Sequence, residues 1–180
     1  RLFMKNLKYY IIQLVITLLI AIIVSLIITV PKVEGTSMNP TLNESNLSND
    51  RIIVEKISTM RHDLKRGEVV IFKPYRNNNT LYIKRIIGLP NDIIEIKNNF
   101  VYINGIKLNE SYLKPNTLTD PKMEVHVPDD CIFVLGDNRS VSKDSRLLGC
   151  IPIENVVGHA MFKFNIKNLQ FGSLDTYKAP

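Results

Sequence analysis

"IKNNFVYINGIKL", residues 96–108, holds two pairs of turn-forming residues between short apolar runs. Asn98-Asn99 and Asn104-Gly105 stand where a tight hairpin requires positive φ angles, which Asn and Gly adopt more readily than other residues. The flanking runs are rich in Ile, Val, Phe and Tyr, which favour β-strands. The stretch therefore predicts two consecutive antiparallel hairpins.

Short apolar runs of the same kind recur along most of the chain, separated by turn-forming residues. Examples are "RIIVEKI", "EVVIFK", "LYIKRII", "CIFVL" and "VVGHAMFKF", and none extends into the 3.6-residue periodicity of an amphipathic helix. The 180 residues have room for one ordinary domain. We predict a mainly β fold, with an antiparallel β domain over 31–180 and a hairpin-rich part at about 97–127.

A continuous apolar segment, "IIQLVITLLIAIIVSLIITV" at residues 11–30, precedes the β-rich part and contains no charge. As a helix it would extend about 30 Å, the thickness of a hydrocarbon core. No small-x-small site follows it, which argues against a cleavable secretory signal. Arg1, Lys5 and Lys8 precede it, and such residues favour the cytoplasmic side. We predict a protein of the cell membrane with a cytoplasmic tail at 1–10, a single transmembrane helix and an extracytoplasmic domain.

Charge and cysteine content limit the classes of partner. The net charge is +6, but the basic residues are scattered singly and no aromatic-rich RNA-binding motif accompanies them, which argues against nucleic acid. Cys131 and Cys150 lack the CxxC spacing of zinc sites, and we expect no metal or other cofactor. The two cysteines are either small buried residues or one disulfide, which an extracytoplasmic compartment permits.

A serine-containing stretch, "VEGTSMNPTL" at residues 33–42, follows the apolar segment with almost no spacer. Ser37 is seven residues beyond Val30, and seven extended residues reach at most about 23–25 Å. We therefore expect Ser37 to lie close to the outer membrane face. Any chemistry at its hydroxyl would act on a substrate held at that surface.

A serine hydroxyl is a weak nucleophile unless a base accepts its proton, so a hydrolase needs a second residue. The three histidines are candidates, but none lies in a recognisable motif. His62 is in a charged loop, and His126 and His159 are within alternating strands, where a structural role is more common. A Ser-His-Asp triad is therefore the less favoured interpretation.

Lys84 is the other candidate base, because it interrupts one of the most apolar strands, "LYIKRIIGLPND" at residues 81–92. Strand alternation places it on the same face as Tyr82 and Ile86. Burial there disfavours the ammonium, and a pKa lowered from about 10.4 to about 8 would give a competent general base at a cost of about 3 to 4 kcal/mol. Taken alone, the strand favours the alternative of a solvated lysine on an edge strand.

Four segments in order change that preference: "GTSMNPT", "RGEVVIFKP", "YIKRIIGLPND" and "GDNRSVSKDSR", all after the apolar segment. In this order the sequence resembles a bacterial type I signal peptidase, a membrane-bound Ser/Lys protease, of the Gram-positive-like branch. The resemblance covers nearly the whole chain. It implies an anchored antiparallel β-sheet catalytic domain without a cofactor. The implied partners are signal peptides of exported preproteins and the lipid bilayer, near the secretion translocon.

The resemblance also assigns roles residue by residue. Ser37 matches the nucleophile, Lys84 the general base and Ser142 the serine that orients the lysine amine. Gly35 stands where some Gram-negative members have an oxyanion-binding serine, so the oxyanion hole consists of the Ser37 backbone N–H and a second donor that is left open. Four charged residues match side chains that support the site through hydrogen bonds and ion pairs: Asp137, Arg139, Asp144 and Arg146.

Two further expectations concern a turn and the substrate pockets. Asn91 stands where the family usually has the second glycine of "GLPGD", and we expect the turn to survive because Asn tolerates a positive φ. By analogy with the family, shallow apolar pockets accept small residues at P1 and P3, and their walls are assigned to Val33, Met38 and Ile83. The alternative for these three residues is ordinary core packing.

The expected function is removal of signal peptides through a Ser/Lys acyl-enzyme mechanism. One alternative is a catalytically inactive, membrane-anchored relative that binds pilin or envelope proteins, which the presence of both Ser37 and Lys84 disfavours. Another is a self-cleaving protease of the repressor type, which shares the β core and dyad but lacks an N-terminal span. The sequence leaves open whether the pathway is general secretion or a dedicated one such as pilus assembly.

Overall fold

The computed structural model of the chain describes residues 2–44, 49–61, 63–75, 80–167 and 169–174. Within these ranges the chain forms one long helix, two short helices and two antiparallel sheets, so the predicted mainly β fold is confirmed. The helices are α1 (Leu2–Ile27), α2 (Ile57–Met60) and α3 (Ser145–Leu148). His62 lies outside the described residues.

The larger sheet has eight strands and places β4 in its interior, between β3 and β9. All of its pairs are antiparallel. In spatial order its strands are β1 (Ile28–Thr29), β2 (Asp50–Glu55), β11 (Val156–Asn165), β3 (Val69–Phe72), β4 (Tyr82–Gly88), β9 (Cys131–Leu135) and β10 (Ile151–Pro152), with β12 (Gln170–Ser173) also paired with β11.

The smaller sheet runs from Ile93 to His126 and overlaps the region predicted to be rich in hairpins. Its apolar face is buried against Phe133 and Leu135 of the larger sheet, which joins the two sheets through one core. In spatial order its strands are β7 (Ile106–Lys107), β6 (Phe100–Ile103), β5 (Ile93–Lys97) and β8 (Met123–His126).

The turns of this sheet adopt the predicted backbone conformation. Asn98 and Asn99 have φ angles of 52° and 66°, and Asn104 and Gly105 have φ angles of 51° and 81°. Asn91, in the turn before β5, has a φ of 69°. These are left-handed angles that Asn and Gly adopt at low cost, so the expectation for each turn is confirmed.

The helix α1 ends at Ile27, three residues before the predicted end of the apolar segment. The next two residues form β1, in which Thr29 pairs with Val54 of β2, and the Lys56 N–H donates to the Ile27 carbonyl (3.0 Å). The β-branched residues at this point suit a strand once a partner strand is present. Among the described residues, the one helix long and apolar enough to cross a membrane is Asn6–Ile27, with a mean hydropathy of 2.8.

The two cysteines are free thiols. Cys131 is buried in the core between the sheets, and Cys150 packs against the same residues. Burial raises the pKa of both thiols, that of Cys131 to about 11. Of the two interpretations of these residues, the structure shows free thiols and not the disulfide, with Cys131 buried and Cys150 partly buried.

Candidate active site

The loop that carries Ser37 is fixed by buried amide side chains. Asn43 Nδ2 donates to the carbonyls of Gly35 (2.9 Å) and Val33 (3.2 Å). Asn39 Nδ2 donates in turn to the Asn43 carbonyl (3.0 Å). Gly35 has a φ of 78°, which a glycine adopts without strain. The nucleophile candidate therefore has a defined backbone although it lies outside any helix or strand.

Lys84 lies on the interior strand β4 and is only 4% exposed, which excludes the alternative of a solvated edge-strand lysine. Its Nζ is 2.8 Å from the Ser37 Oγ and 2.8 Å from the Ile83 carbonyl oxygen. The same Nζ is 5.5 Å from the centre of the Tyr82 ring, on the strand face that alternation predicts. The structure thus brings together the two residues to which the resemblance assigns the reaction.

The environment of Lys84 shifts its protonation towards the neutral amine. Burial lowers the pKa of Lys84 from 10.5 to about 8, against the opposing attraction of the Asp144 and Asp137 carboxylates. With this pKa, about one amine in ten is neutral at pH 7. A neutral amine 2.8 Å from a hydroxyl is placed to accept its proton, as a general base does.

An open cleft of about 450 Å³ lies over Ser37 and Lys84. Ile83 lines it, and the pocket role assigned to this residue stays a prediction. Val33 and Met38 do not line it, because the loop turns both side chains inward, where they are 6% and 1% exposed among core residues. Both side chains pack in the core in this structure, and the pocket role assigned to them stays a prediction. The cleft is lined by Glu34, Gly35, Thr36, Ser37, Thr80, Leu81, Tyr82, Ile83, Lys84, Val141 and Lys143.

The backbone of Ser37 has one occupied and one open hydrogen-bonding group. Its carbonyl accepts from the Asn138 N–H (2.9 Å), whereas its N–H has no partner within the part of the chain that the structure describes. That N–H is therefore available to an oxyanion. Gly35 offers no side-chain donor, and a Cβ placed on it would meet no atom within 4 Å.

Ser142 forms no hydrogen bond with the Lys84 amine in this structure. Its Oγ is buried and forms no hydrogen bond of ordinary geometry among the described residues. It packs instead against Gly136, where an added Cβ would lie 2.1 Å from this oxygen, and close to the Asp144 carboxylate. The orienting role assigned to Ser142 therefore stays a prediction, and the hydrogen bonds of Lys84 go to Ser37 and Ile83.

Asp144 and Arg146 form a two-bond ion pair beside this turn. Arg146 Nε donates to Asp144 Oδ1 and its Nη2 donates to Asp144 Oδ2, both at 2.9 Å. Asp144 also accepts from the Gly136 N–H (3.0 Å). Burial acts to raise the pKa of Asp144, but Arg146 and the Gly136 N–H outweigh it, so the pKa lies below its usual value and the carboxylate stays charged.

Asp137 pairs with Arg85, a residue that the sequence interpretation missed. Arg85 Nε and Nη2 donate to the two Asp137 oxygens at 3.0 and 2.8 Å, and Thr41 donates to the same carboxylate. Burial acts to lower the pKa of Arg85, but Asp137 raises it above its usual value. A signal was present in the sequence, because Arg85 directly follows Lys84 in the same apolar strand.

Arg139 pairs with Glu110, which the sequence interpretation also missed. Its Nη2 forms an ion pair with Glu110 Oε1, and its Nε donates to the Gly136 carbonyl (3.1 Å). Tyr112 lies in the same loop as Glu110 and donates its hydroxyl hydrogen to that carboxylate (2.8 Å). No pattern in "LNESYL" indicates these contacts, since they depend on how the loop folds back on the larger sheet.

The two histidines that the structure describes, His126 and His159, lie away from this site. His159 on β11 lies beside Glu55, with Nδ1 3.6 Å from Oε1, and His126 is exposed on β8 of the smaller sheet. No histidine that the structure describes lines the cleft. The described ranges also contain no group of three or more His, Cys, Asp or Glu side chains placed to hold a metal ion.

Most of the chain matches a known family. The sequence model described as signal peptidase, peptidase S26, matches residues 7–165. The chain belongs to the signal peptidase family. Among its relatives, signal peptidase I of Bacillus caldolyticus is 40% identical over 145 residues, 73% of this chain and 76% of the relative. Signal peptidase IB of Staphylococcus aureus is 36% identical over 179 residues, 89% of this chain and 90% of the relative.

A solved signal peptidase I from Enterococcus faecalis is 31% identical to this chain. The match covers 53% of this chain and 95% of the solved chain, with a TM-score of 0.47. The predicted membership of the bacterial type I signal peptidases, of Gram-positive type, is confirmed by the family match and the relatives. The protein is accordingly a serine peptidase.

Proposed function

We propose that this protein is a membrane-anchored endopeptidase that removes signal peptides from exported preproteins, with Ser37 as nucleophile and Lys84 as general base. The observation that carries the proposal is the distance of 2.8 Å between Ser37 Oγ and Lys84 Nζ, inside an open cleft. Burial of the lysine, which lowers its pKa to about 8, supports the assignment of the base. Membership of the signal peptidase family supports the substrate class.

In the first half of the reaction, neutral Lys84 accepts the Ser37 hydroxyl proton while Oγ attacks the scissile carbonyl. The Ser37 N–H donates to the oxygen that becomes negative. The ammonium of Lys84 then gives its proton to the leaving nitrogen, and the C–N bond breaks. The mature protein departs with a new amino terminus, and the signal peptide remains as an ester of Ser37.

The second half repeats these steps with water. Lys84, neutral again, accepts a proton from a water molecule, whose oxygen attacks the ester carbonyl. The Ser37 oxygen leaves with the proton that Lys84 returns. The signal peptide is released with a free carboxylate, and the enzyme is restored.

The anchor determines where this chemistry takes place. In the proposed orientation α1 spans the membrane from a cytoplasmic N-terminus, and the rest of the chain is extracytoplasmic. The apolar helix Asn6–Ile27 and the short path from its end to Ser37 support this placement. A signal peptide spans the same membrane, so its cleavage site emerges on the side of the cleft.

We assign the preference for small residues at P1 and P3 to the shallow part of the cleft beside Ile83. The side chain of Ile83 lines the cleft and packs against the core that contains Val33 and Met38. A wall supported by well-packed residues cannot move aside for a large side chain without a cost of about 1–3 kcal/mol. Alanine or serine would fit this wall, and longer residues would not.

Processing of a preprotein with an Ala-x-Ala site tests the proposal. The full-length protein in detergent micelles should produce one mature N-terminus, read by sequencing, immediately after the second alanine. Ser37→Ala should lower the rate about 10³-fold or more, because the nucleophile is removed. The exposed Ser111→Ala serves as the matched control. Binding of the intact preprotein without cleavage would refute the proposal and favour the inactive relative.

A further inference from the structure

Two residues of the loop after β7, Glu110 and Tyr112, contact the turn that follows β9. The link is Arg139, whose side chain is fully buried. Its Nη2 pairs with Glu110, its Nη1 contacts Thr119 Oγ1 (2.5 Å), and its Nε donates to the Gly136 carbonyl. Each nitrogen of this guanidinium therefore has a partner, and within the part of the chain that the structure describes Glu110 is the only carboxylate hydrogen-bonded to it.

The turn that Arg139 holds is in direct contact with the nucleophile. The Asn138 N–H donates to the Ser37 carbonyl at 2.9 Å. Gly136 is packed so closely that an added Cβ would lie 2.6 Å from the Ser37 carbonyl oxygen and 2.1 Å from Ser142 Oγ. Because no free space separates them, a shift of the turn moves the backbone of Ser37 as well.

A second contact runs from the same loop to the strand of the base. The Tyr112 ring stacks on the Arg85 guanidinium, with 4.1 Å from Cζ to the ring centre. Arg85 is adjacent to Lys84 and forms the two-bond pair with Asp137. The Tyr112 hydroxyl donates to Glu110, so the two residues act as one unit.

We propose that Glu110 and Tyr112 are positioning residues, which hold the 136–142 turn and Arg85 so that Ser37 and Lys84 face each other at reacting distance. The inference rests on the proposed Ser37/Lys84 mechanism. Its physical basis is the charge of Glu110, without which the buried Arg139 would lose the carboxylate to which it is hydrogen-bonded. The turn would then rearrange to solvate the guanidinium, and the nucleophile would move with it.

Glu110→Gln, which removes the charge at nearly constant volume, is the first test in the full-length protein in detergent micelles. We expect kcat to fall about 10- to 100-fold with KM changed less than about threefold, because misplacement of the reacting groups affects the transition state more than substrate binding. Hydrogen exchange at the Asn138 amide should become faster, which reports the turn independently of catalysis. Tyr112→Phe, which removes only the hydroxyl, should show the same two changes at smaller size.

Matched controls come from the smaller sheet, which adjoins this loop. Glu95→Gln removes a carboxylate that pairs with Lys97, and Tyr102→Phe removes a hydroxyl from a ring that contacts the same lysine. Both should leave kcat and Asn138 exchange unchanged.

If Glu110→Gln fails to fold, Tyr112→Phe alone decides. Unchanged kcat in a folded variant of Glu110 or Tyr112, or equal losses in the controls, would overturn the inference. Faster Asn138 exchange with unchanged kcat would also overturn it while leaving the Ser37/Lys84 mechanism intact. Activity retained in Ser37→Ala would instead refute the proposed function.

Discussion

Lys84 and Arg85 are consecutive residues of β4 whose side chains lie on opposite faces of the strand, and both are almost fully buried, at 4% and 1% exposure. Their protonation differs. Burial lowers the pKa of Lys84 to about 8, whereas Asp137 keeps the pKa of Arg85 above its usual value. Depth in the protein is therefore not what separates a base from a permanent cation. The residue type makes the difference, because a guanidinium keeps its proton in proteins, and the Asp137 carboxylate compensates the burial of that charge.

The two residue types suit these two environments. The pKa of a lysine ammonium falls when it is desolvated without a carboxylate at hydrogen-bond distance. The neutral amine, which then forms at a lower pH, is a base. An arginine guanidinium keeps its charge in proteins and presents parallel N–H groups to a carboxylate. In the proposed mechanism Lys84 supplies the reactive group, and Arg85 on the same strand supplies a fixed connection to Asp137.

The largest effect is expected for Lys84→Met, which should lower processing about 10³-fold or more, because the base is removed. The same variant should be more stable at pH 7, by at most about 3 kcal/mol. Below pH 8 the folded protein carries the full cost of a proton on a desolvated amine, and this cost disappears as the pH rises from about 8 to 10.5. Processing assays and urea unfolding at several pH values measure both effects.

More than a few per cent of wild-type activity in Lys84→Met would point to another base. His159→Gln is the matched control, because His159 is buried on β11 beside Glu55 and away from the cleft. This control should process the preprotein at the wild-type rate.

On the other face of β4, removing the partner of Arg85 should lower the stability of the protein instead of raising it. Asp137→Asn should destabilise the protein by about 3–5 kcal/mol, because Arg85 would stay buried without a counter-charge. Urea unfolding at pH 7 provides the measurement. A variant as stable as wild type would mean that Asp137 is not the counter-charge that compensates the burial of Arg85.

The pH profile of kcat/KM should distinguish the two cations further. The rate should rise about tenfold per pH unit below the pKa of Lys84 and level off above about 8, because only the neutral amine accepts the serine proton. Arg85 should add no second limb, since its pKa is raised. A limb at or above pH 10 would show that Lys84 is not desolvated in the working enzyme.

The smallest effect is expected for Ser142→Ala. The Ser142 hydroxyl forms no hydrogen bond with Lys84, so its removal should lower kcat less than about tenfold. Steady-state kinetics on the same preprotein measure the change. A loss as large as that of Lys84→Met would show that the serine orients the amine during the reaction.

Local chemistry explains what the sequence predicted well. The turns at Asn98-Asn99 and Asn104-Gly105 depend on backbone preferences of the residues themselves, and the structure has the expected positive φ angles. Lys84 is conspicuous as a cation in an apolar strand, but the strand alone favours a solvated lysine, and the order of the four segments is what assigns it as the base.

Features that depend on distant partners were less predictable. Ile28 and Thr29 are compatible with a helix or with a strand, and pairing with β2 decides for a strand. Apolar residues such as Val33 and Met38 suit a pocket wall as well as a core. Only the path of the loop places their side chains in the core. Glu110 contacts Arg139 across a separation of 29 residues, for which no local pattern exists.

The direct passage from α1 into β1 has a consequence for substrate choice. Because β1 pairs with β2 and the Lys56 N–H is bonded to Ile27, no loose linker joins the anchor to the catalytic domain. In the proposed orientation, the cleft therefore stands at a set height above the lipid surface. A preprotein must present its scissile bond at that height, so the number of residues between its apolar region and its cleavage site becomes a selection criterion, independent of the side chains at P1 and P3.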